Sequence, residues 1–174
     1  LSSIANPNNF GYWGVNAPIP DHDKPTYSQK QYRDLGVEDA FEGEYGGPQS
    51  ESEDLQIDSE KLAAVDPDII FFSDAIRFLD VDDSELQYGN LYEKTKSALK
   101  SDPVTKGITA VQEGNLYVGG TADQGPIINL FQTEMLAKQL YPETFGEWHG
   151  VGETPAEEEL VDRDRLAEII TGSA

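Results

Sequence analysis

Residues 57–72, Ile57-Asp58-Ser59-Glu60-Lys61-Leu62-Ala63-Ala64-Val65-Asp66-Pro67-Asp68-Ile69-Ile70-Phe71-Phe72, constrain the fold more than any other stretch of the chain. Asp58 or Ser59 can cap a helix, because a short side-chain oxygen accepts from the orphan N–H groups of a first helical turn. Leu62, Ala63 and Val65 give that helix an apolar side. Pro67 ends it, since proline biases the preceding residue away from the helical region. Ile69 to Phe72 is then a run of four apolar residues without alternation, the pattern of a strand covered on both faces. A helix, a proline turn and a doubly buried strand in succession predict an α/β sheet.

The rest of the chain continues the alternation. Leu1–Asn6 reads as the tail of a strand, and Asn6–Pro20 as a loop rich in Asn, Pro and Gly. Ser28 can cap a helix over Gln29–Leu35, closed by Gly36. Glu42–Asp54 is a polar, acidic surface loop, and Ser73–Asp83 a loop or short helix at the carboxyl end of the buried strand. Leu91–Lys100 reads as a helix ended by Asp102-Pro103, and Asn115–Val118 as a short strand. Gly119–Gly125 is a Gly-rich turn, after which Pro126 opens a helix to Leu140. A tail over Glu147–Glu159 leads to a last helix, Arg163–Ile170, ended by Gly172. Strands alternating with helices predict an open, mainly parallel sheet flanked by helices. No internal repeat is present. At 174 residues, one domain over 1–174 is large enough to bury about 70 % of its unfolded surface.

The formal net charge is −21, from 33 acidic residues against 12 Lys plus Arg. Nucleic acid and anionic membrane faces need clustered basic residues, so neither is an expected partner. A solvated surface accounts for such charge. Adaptation to very high salt, as in an extreme halophile, accounts for it better, because acids are spread along the whole chain. In such salt the Debye length falls to about 3 Å and self-repulsion is screened. Disorder fits poorly with 37 % apolar and 10 % aromatic residues, which suffice for a core. Without Cys there is no disulfide, iron–sulfur or thiolate zinc site. No stretch approaches the ~20 apolar residues of a membrane span. The chain begins at Leu1, so a fragment or processed form is expected.

Four segments carry a resemblance. Glu60-Lys61-Leu62 with Pro67-Asp68-Ile69-Ile70 resembles the E-x-L-x-x-x-x-P-D-I-I signature of class III solute-binding proteins of ABC importers. Tyr32-Arg33-Asp34-Leu35-Gly36-Val37-Glu38-Asp39-Ala40-Phe41 is similar to the family's second-lobe opening. Ala110-Val111-Gln112-Glu113-Gly114-Asn115-Leu116-Tyr117-Val118-Gly119-Gly120 resembles its late strand, and Leu140-Tyr141-Pro142-Glu143-Thr144-Phe145 its closing YP-x-x-F. The matches keep the family's order and span residues 30–146. The family has two Rossmann-like lobes joined by a long helix, with ligand held between them. The resemblance therefore implies a C-terminal lobe, with the N-terminal lobe and linker helix absent from this chain. It implies capture of a ferric siderophore, or alternatively of cobalamin or haem, and delivery to a membrane permease. The protein would act outside the membrane, tethered as a lipoprotein or secreted, as a monomer and without cofactor.

In open α/β sheets ligands lie beyond the carboxyl ends of the strands, which leaves three candidate segments. The first holds Phe10, Tyr12 and Trp13, whose rings can pack a flat ligand while Tyr and Trp add a polar tip; core or lobe packing is the alternative. The second is Ser73-Asp74-Ala75-Ile76-Arg77. Arg77 can fork onto carboxylate, hydroxamate or propionate oxygens, or form a surface ion pair with Asp74, Asp80 or Asp82. The third is Gly119–Pro126, with Thr121 and Gln124, where helix N–H groups favour an anion. It is neither a Walker loop, since Pro126 stands where Lys would follow, nor a full G-x-G-x-x-G. Glu60 is by resemblance the acid that docks onto permease arginines; ordinary helix-dipole pairing is the alternative.

Catalytic patterns are missing. His22 and His149 form no H-x-x-H or H-E-x-x-H motif, and no G-x-S-x-G elbow occurs. Asp80–Glu85 hints at a calcium loop, but the sixth position is Glu85 and the twelfth Leu91. Carboxylates are too abundant to nominate an acid/base pair, and Glu157-Glu158-Glu159 reads as solvated surface or a helix start. The expectation is a binding module with no metal site and no enzymatic activity. Two alternatives share the fold: a nitrogenase-component-like oxidoreductase, disfavoured by the lack of Cys, and an interaction domain with a degenerate cleft.

Overall fold

The computed structural model describes residues 5–6, 9–10, 30–38, 40, 59–72, 91–121 and 125–173. The helices among them are α1 (Lys30–Asp34), α2 (Ser59–Val65), α3 (Leu91–Ser101), α4 (Thr109–Glu113), α5 (Pro126–Leu140), α6 (Pro142–Phe145) and α7 (Arg163–Thr171). Short 3-10 turns occupy Thr105–Gly107 and Ala156–Glu158. The strands are β1 (Ala5–Asn6), β2 (Asn9–Phe10), β3 (Ile70–Phe72) and β4 (Leu116–Val118).

β1 and β2 pair antiparallel, with Ala5 opposite Phe10. The sequence predicts a loop after Asn6, so this hairpin departs from it.

The helix–proline–strand unit forms as predicted, with a further role for its turn. Leu62 is buried and Glu60 exposed. Asp66, just beyond α2, adopts a left-handed conformation (φ 48°) that Asp tolerates better than most residues. There its Oδ1 accepts from the Thr109 N–H at 2.7 Å and its Oδ2 from the Thr109 hydroxyl at 3.1 Å. The Pro67 carbonyl accepts from Ala110 N–H at 3.0 Å. Ile108, at the N-cap of α4, makes no side-chain cap bond. Asp66, 43 positions upstream, therefore caps α4 from outside it. Gly114, at φ 82°, ends α4 and turns the chain into β4.

β3 and β4 pair in parallel, Ile70 with Leu116, Phe71 with Tyr117 and Phe72 with Val118. The α/β class is thus realised, with a parallel pair at the centre. Backbone groups of Leu116 and Val118 turn away from β3 and meet side chains. The Tyr92 hydroxyl donates to Leu116 O at 2.7 Å, while Gln139 accepts from Val118 N–H at 2.9 Å and donates to Val118 O at 3.0 Å. Side chains thus close this edge. Burial pushes the Tyr92 hydroxyl up despite the Lys96 ammonium 4.6 Å from its ring centroid, so it remains a donor at neutral pH. The core gathers Leu62, Ile70, Phe71, Phe72, Leu99, Ile108, Leu116, Val118 and Leu136. Phe72 meets Tyr92 edge to face at 5.3 Å between centroids, and Phe71 meets Tyr32 at 4.8 Å.

Asp102 shapes the end of α3. Its Oδ1 accepts from Val104 N–H at 2.8 Å and Thr105 N–H at 3.0 Å, and the Thr105 hydroxyl donates to Leu99 O at 2.8 Å. The N–H donors of Thr105 and Val104 hold the carboxyl below its ordinary 3.8. With the folded value the lower one, the turn's ionic contribution is fully present above that ordinary value and fades as pH falls through the folded one. The stability difference between wild type and Asp102→Asn is therefore expected to be larger at pH 6 than at pH 3. Urea midpoints at both pH values test this; a pH-independent difference would refute it.

The face of α5 carrying Phe131, Glu134 and Lys138 holds the chain that follows. Glu134 is buried, accepting from Leu160 N–H at 3.0 Å and from Arg163 Nη2 at 3.0 Å. Arg163 also pairs through Nε with Glu159 at 3.0 Å, and its guanidinium lies 4.5 Å from the Phe131 ring centroid. Lys138, wholly buried, donates to Phe145 O at 2.8 Å and lies 3.8 Å from the Glu158 carboxylate, which also meets His149 Nε2 at 3.2 Å. Glu157–Glu159, expected as solvated surface or a helix start, does enter a 3-10 turn with Glu157 exposed, while Glu158 lies beside buried Lys138, which needs a counter-charge, and Glu159 pairs with Arg163. Asp162 caps α7, accepting from Arg165 N–H at 2.8 Å.

Candidate functional site

Phe72 and Val118 are in register, so both strands end at one level, and after β4 the chain leaves the sheet as Gly119. Gly119 N–H donates to Phe72 O at 2.9 Å, extending the pairing by one residue. Gly119 and Gly120 are buried and Thr121 is half-buried. A Cβ at Gly120 would run into the side-chain amide of Gln132. That amide is buried and donates from Nε2 to Thr121 O at 3.4 Å, while its Oε1 accepts from Gln31 Nε2 at 3.2 Å.

Beyond the turn, Gly125 is extended and offers no side-chain cap to α5; Asn129 N–H donates to its carbonyl at 2.8 Å. The N–H groups of Ile127 and Ile128 therefore lie in a first turn without a side-chain cap among the described residues, at the positive end of a 15-residue helix. Ile127, Ile128 and Leu130 are exposed around it. An anionic oxygen on an otherwise apolar ligand suits this combination of amide donors and apolar lip.

Of the residues nominated from sequence, Thr121 lies in the turn after β4. Glu60 is exposed in the first turn of α2. The backbone of Phe10 lies in β2, with its side chain outside the described residues. Tyr12, Trp13, Ser73, Arg77 and Gln124 fall outside them as well. Sequence reasoning missed Gln31 and Gln132. A signal existed for Gln132: it sits three and four positions before Met135 and Leu136 on a buried helix face, where a polar side chain needs a partner.

Among the described residues, no group of three or more His, Cys, Asp and Glu is arranged to hold a metal ion, and no helix is long and apolar enough to cross a membrane. An α/β unit with its open turn at the carboxyl ends of parallel strands is a ligand-binding framework. The family model described as periplasmic binding protein matches residues 24–122, more than half of the chain, and the chain belongs to that family. The matched stretch runs from before α1 through β4 into the turn at Thr121, so three of the four resembling segments lie within it, while Leu140–Phe145 lies beyond it. No curated protein and no solved structure matches the chain. Membership implies a solute-binding role outside the cytoplasm, with a small-molecule ligand and an ABC transporter as the general partners.

Proposed function

We propose that this chain is the C-terminal lobe of a class III solute-binding protein that captures a ferric siderophore and delivers it to a membrane permease. The supporting observation is the family match ending in the Gly119–Thr121 turn, beside an apolar lip and a helix start without a side-chain cap among the described residues. Ligand would be held between two lobes, with Phe10, Tyr12 and Trp13 packing it, Arg77 forking onto its oxygens, and Ser73, Thr121 and Gln124 lining the cleft. Binding would supply affinity without chemistry, and exposed Glu60 would dock onto permease arginines. The protein would work at the cell surface of an extreme halophile, tethered or secreted; the net charge of −21 supports that setting. Cobalamin or haem is the alternative cargo.

Tryptophan-fluorescence titration of the gene's full-length product in molar salt tests this, against ferric hydroxamate, ferric catecholate, haem and cobalamin. Saturable sub-micromolar quenching by one of them is expected, weakened about tenfold or more in Trp13→Ala and Arg77→Ala, the scale of one lost aromatic or charged contact. Silence toward all four would overturn the cargo class. Affinity that rises with salt would mean that the acidic surface repels the chelate, and affinity that collapses would point to a direct pair with Arg77.

A further inference from the structure

We propose that Gln31 and Gln132 are positioning residues that hold the Gly119–Thr121 turn in its ligand-ready shape before ligand arrives. The turn would then be a fixed wall of the site, and closure would come from elsewhere. This rests on reading the turn as ligand-lining.

The chemistry of the amides dictates their arrangement. The Thr121 carbonyl can only accept, so Gln132 must turn its NH₂ toward it and its oxygen toward the NH₂ of Gln31. Both side chains are nearly inaccessible, at 1 % and 3 %, where an amide without partners is costly. Gly120 packs against the same amide with no space for a Cβ. The turn is therefore gripped by a hydrogen bond at Thr121 and by contact at Gly120.

The anchor behind this grip is α1. Its neighbouring residues reach both strands' surroundings: Tyr32 meets Phe71 of β3 in a tilted ring contact, and Gln31 reaches the turn after β4 through Gln132. One turn later, the Tyr141 hydroxyl donates to Leu35 O at 2.7 Å and fastens α1 to the far end of α5. Two attachments a helical turn apart leave α1 little freedom to rotate against α5. The turn inherits that rigidity.

The test begins without ligand. Amide hydrogen exchange by NMR on Gln132→Met, which keeps the side-chain length but neither hydrogen bond, should be at least tenfold faster around Gly120 and Thr121. The N–H groups of Ile70 and Gly119, bonded strand to strand, should stay slow. A uniform rise at all sites would reduce Gln132 to a contributor to global stability and overturn the proposal. Gly120→Ala, whose Cβ would meet the Gln132 amide, should quicken exchange at the same positions; an undisturbed variant would also overturn the proposal. Ferric hydroxamate titration then separates the two claims. A tenfold or greater loss of affinity in Gln132→Met supports both. Faster exchange with unchanged affinity would refute the ligand-lining role of the turn and leave the anchoring intact.

Discussion

Replacing Phe72 with alanine is expected to cost about 3–5 kcal/mol, a large share of the roughly 5–15 kcal/mol by which folded domains are stable. Phe72 is 1 % exposed, ends β3 and packs edge to face on Tyr92, whose hydroxyl holds the Leu116 carbonyl at the edge of β4. The truncation opens a cavity and also loosens the ring that seals that edge. Phe72→Leu fills most of the volume and should cost less than half as much, about 1.5 kcal/mol. Urea denaturation followed by far-ultraviolet circular dichroism in molar salt measures both. An unchanged midpoint for Phe72→Ala would remove β3 from the core.

The second large effect is expected at Glu134. Glu134→Ala strips Arg163 of its most buried partner and leaves Leu160 N–H without its acceptor, at a cost of about 2–4 kcal/mol. The Arg163 side chain is a third exposed and can be partly rehydrated, which favours the lower half of that range. Glu134→Gln keeps an acceptor for Leu160 and should cost about half as much. Unlike an exposed pair, this buried one should keep most of its contribution in molar salt. Exchange of the α7 amides should quicken in Glu134→Ala, because Arg163 is the first residue of that helix and ties it to α5. An unaltered urea midpoint together with unaltered α7 exchange would show that other contacts hold the segment.

Much of the secondary structure was legible because local rules agreed with one another. Pro67 ended α2, Pro126 opened α5, Gly36 and Gly172 closed their helices, and the unbroken Ile69–Phe72 run marked a strand covered on both faces. The hairpin of β1 and β2 was less legible, since two-residue strands leave no periodicity to count. At the candidate site, the Gly-rich turn and the helix start were visible from Gly and Pro placement. The side chains that shape the turn were not, because Gln31 and Gln132 lie 101 positions apart and neither belongs to a local pattern.

The division between sequence and tertiary structure follows range. Residues within one helical turn or one strand decided the element types, the α/β class and the family resemblance, since capping, proline geometry and hydrophobic patterning act over a few positions. Pairings over tens of residues were decided only by folding: Asp66 capping α4, Tyr92 and Gln139 closing the edge of β4, Glu134 and Lys138 gripping the tail, and Gln132 bracing the turn. Each satisfies a backbone or side-chain polar group left without a local partner, and which group finds which partner depends on where the apolar core brings the elements together.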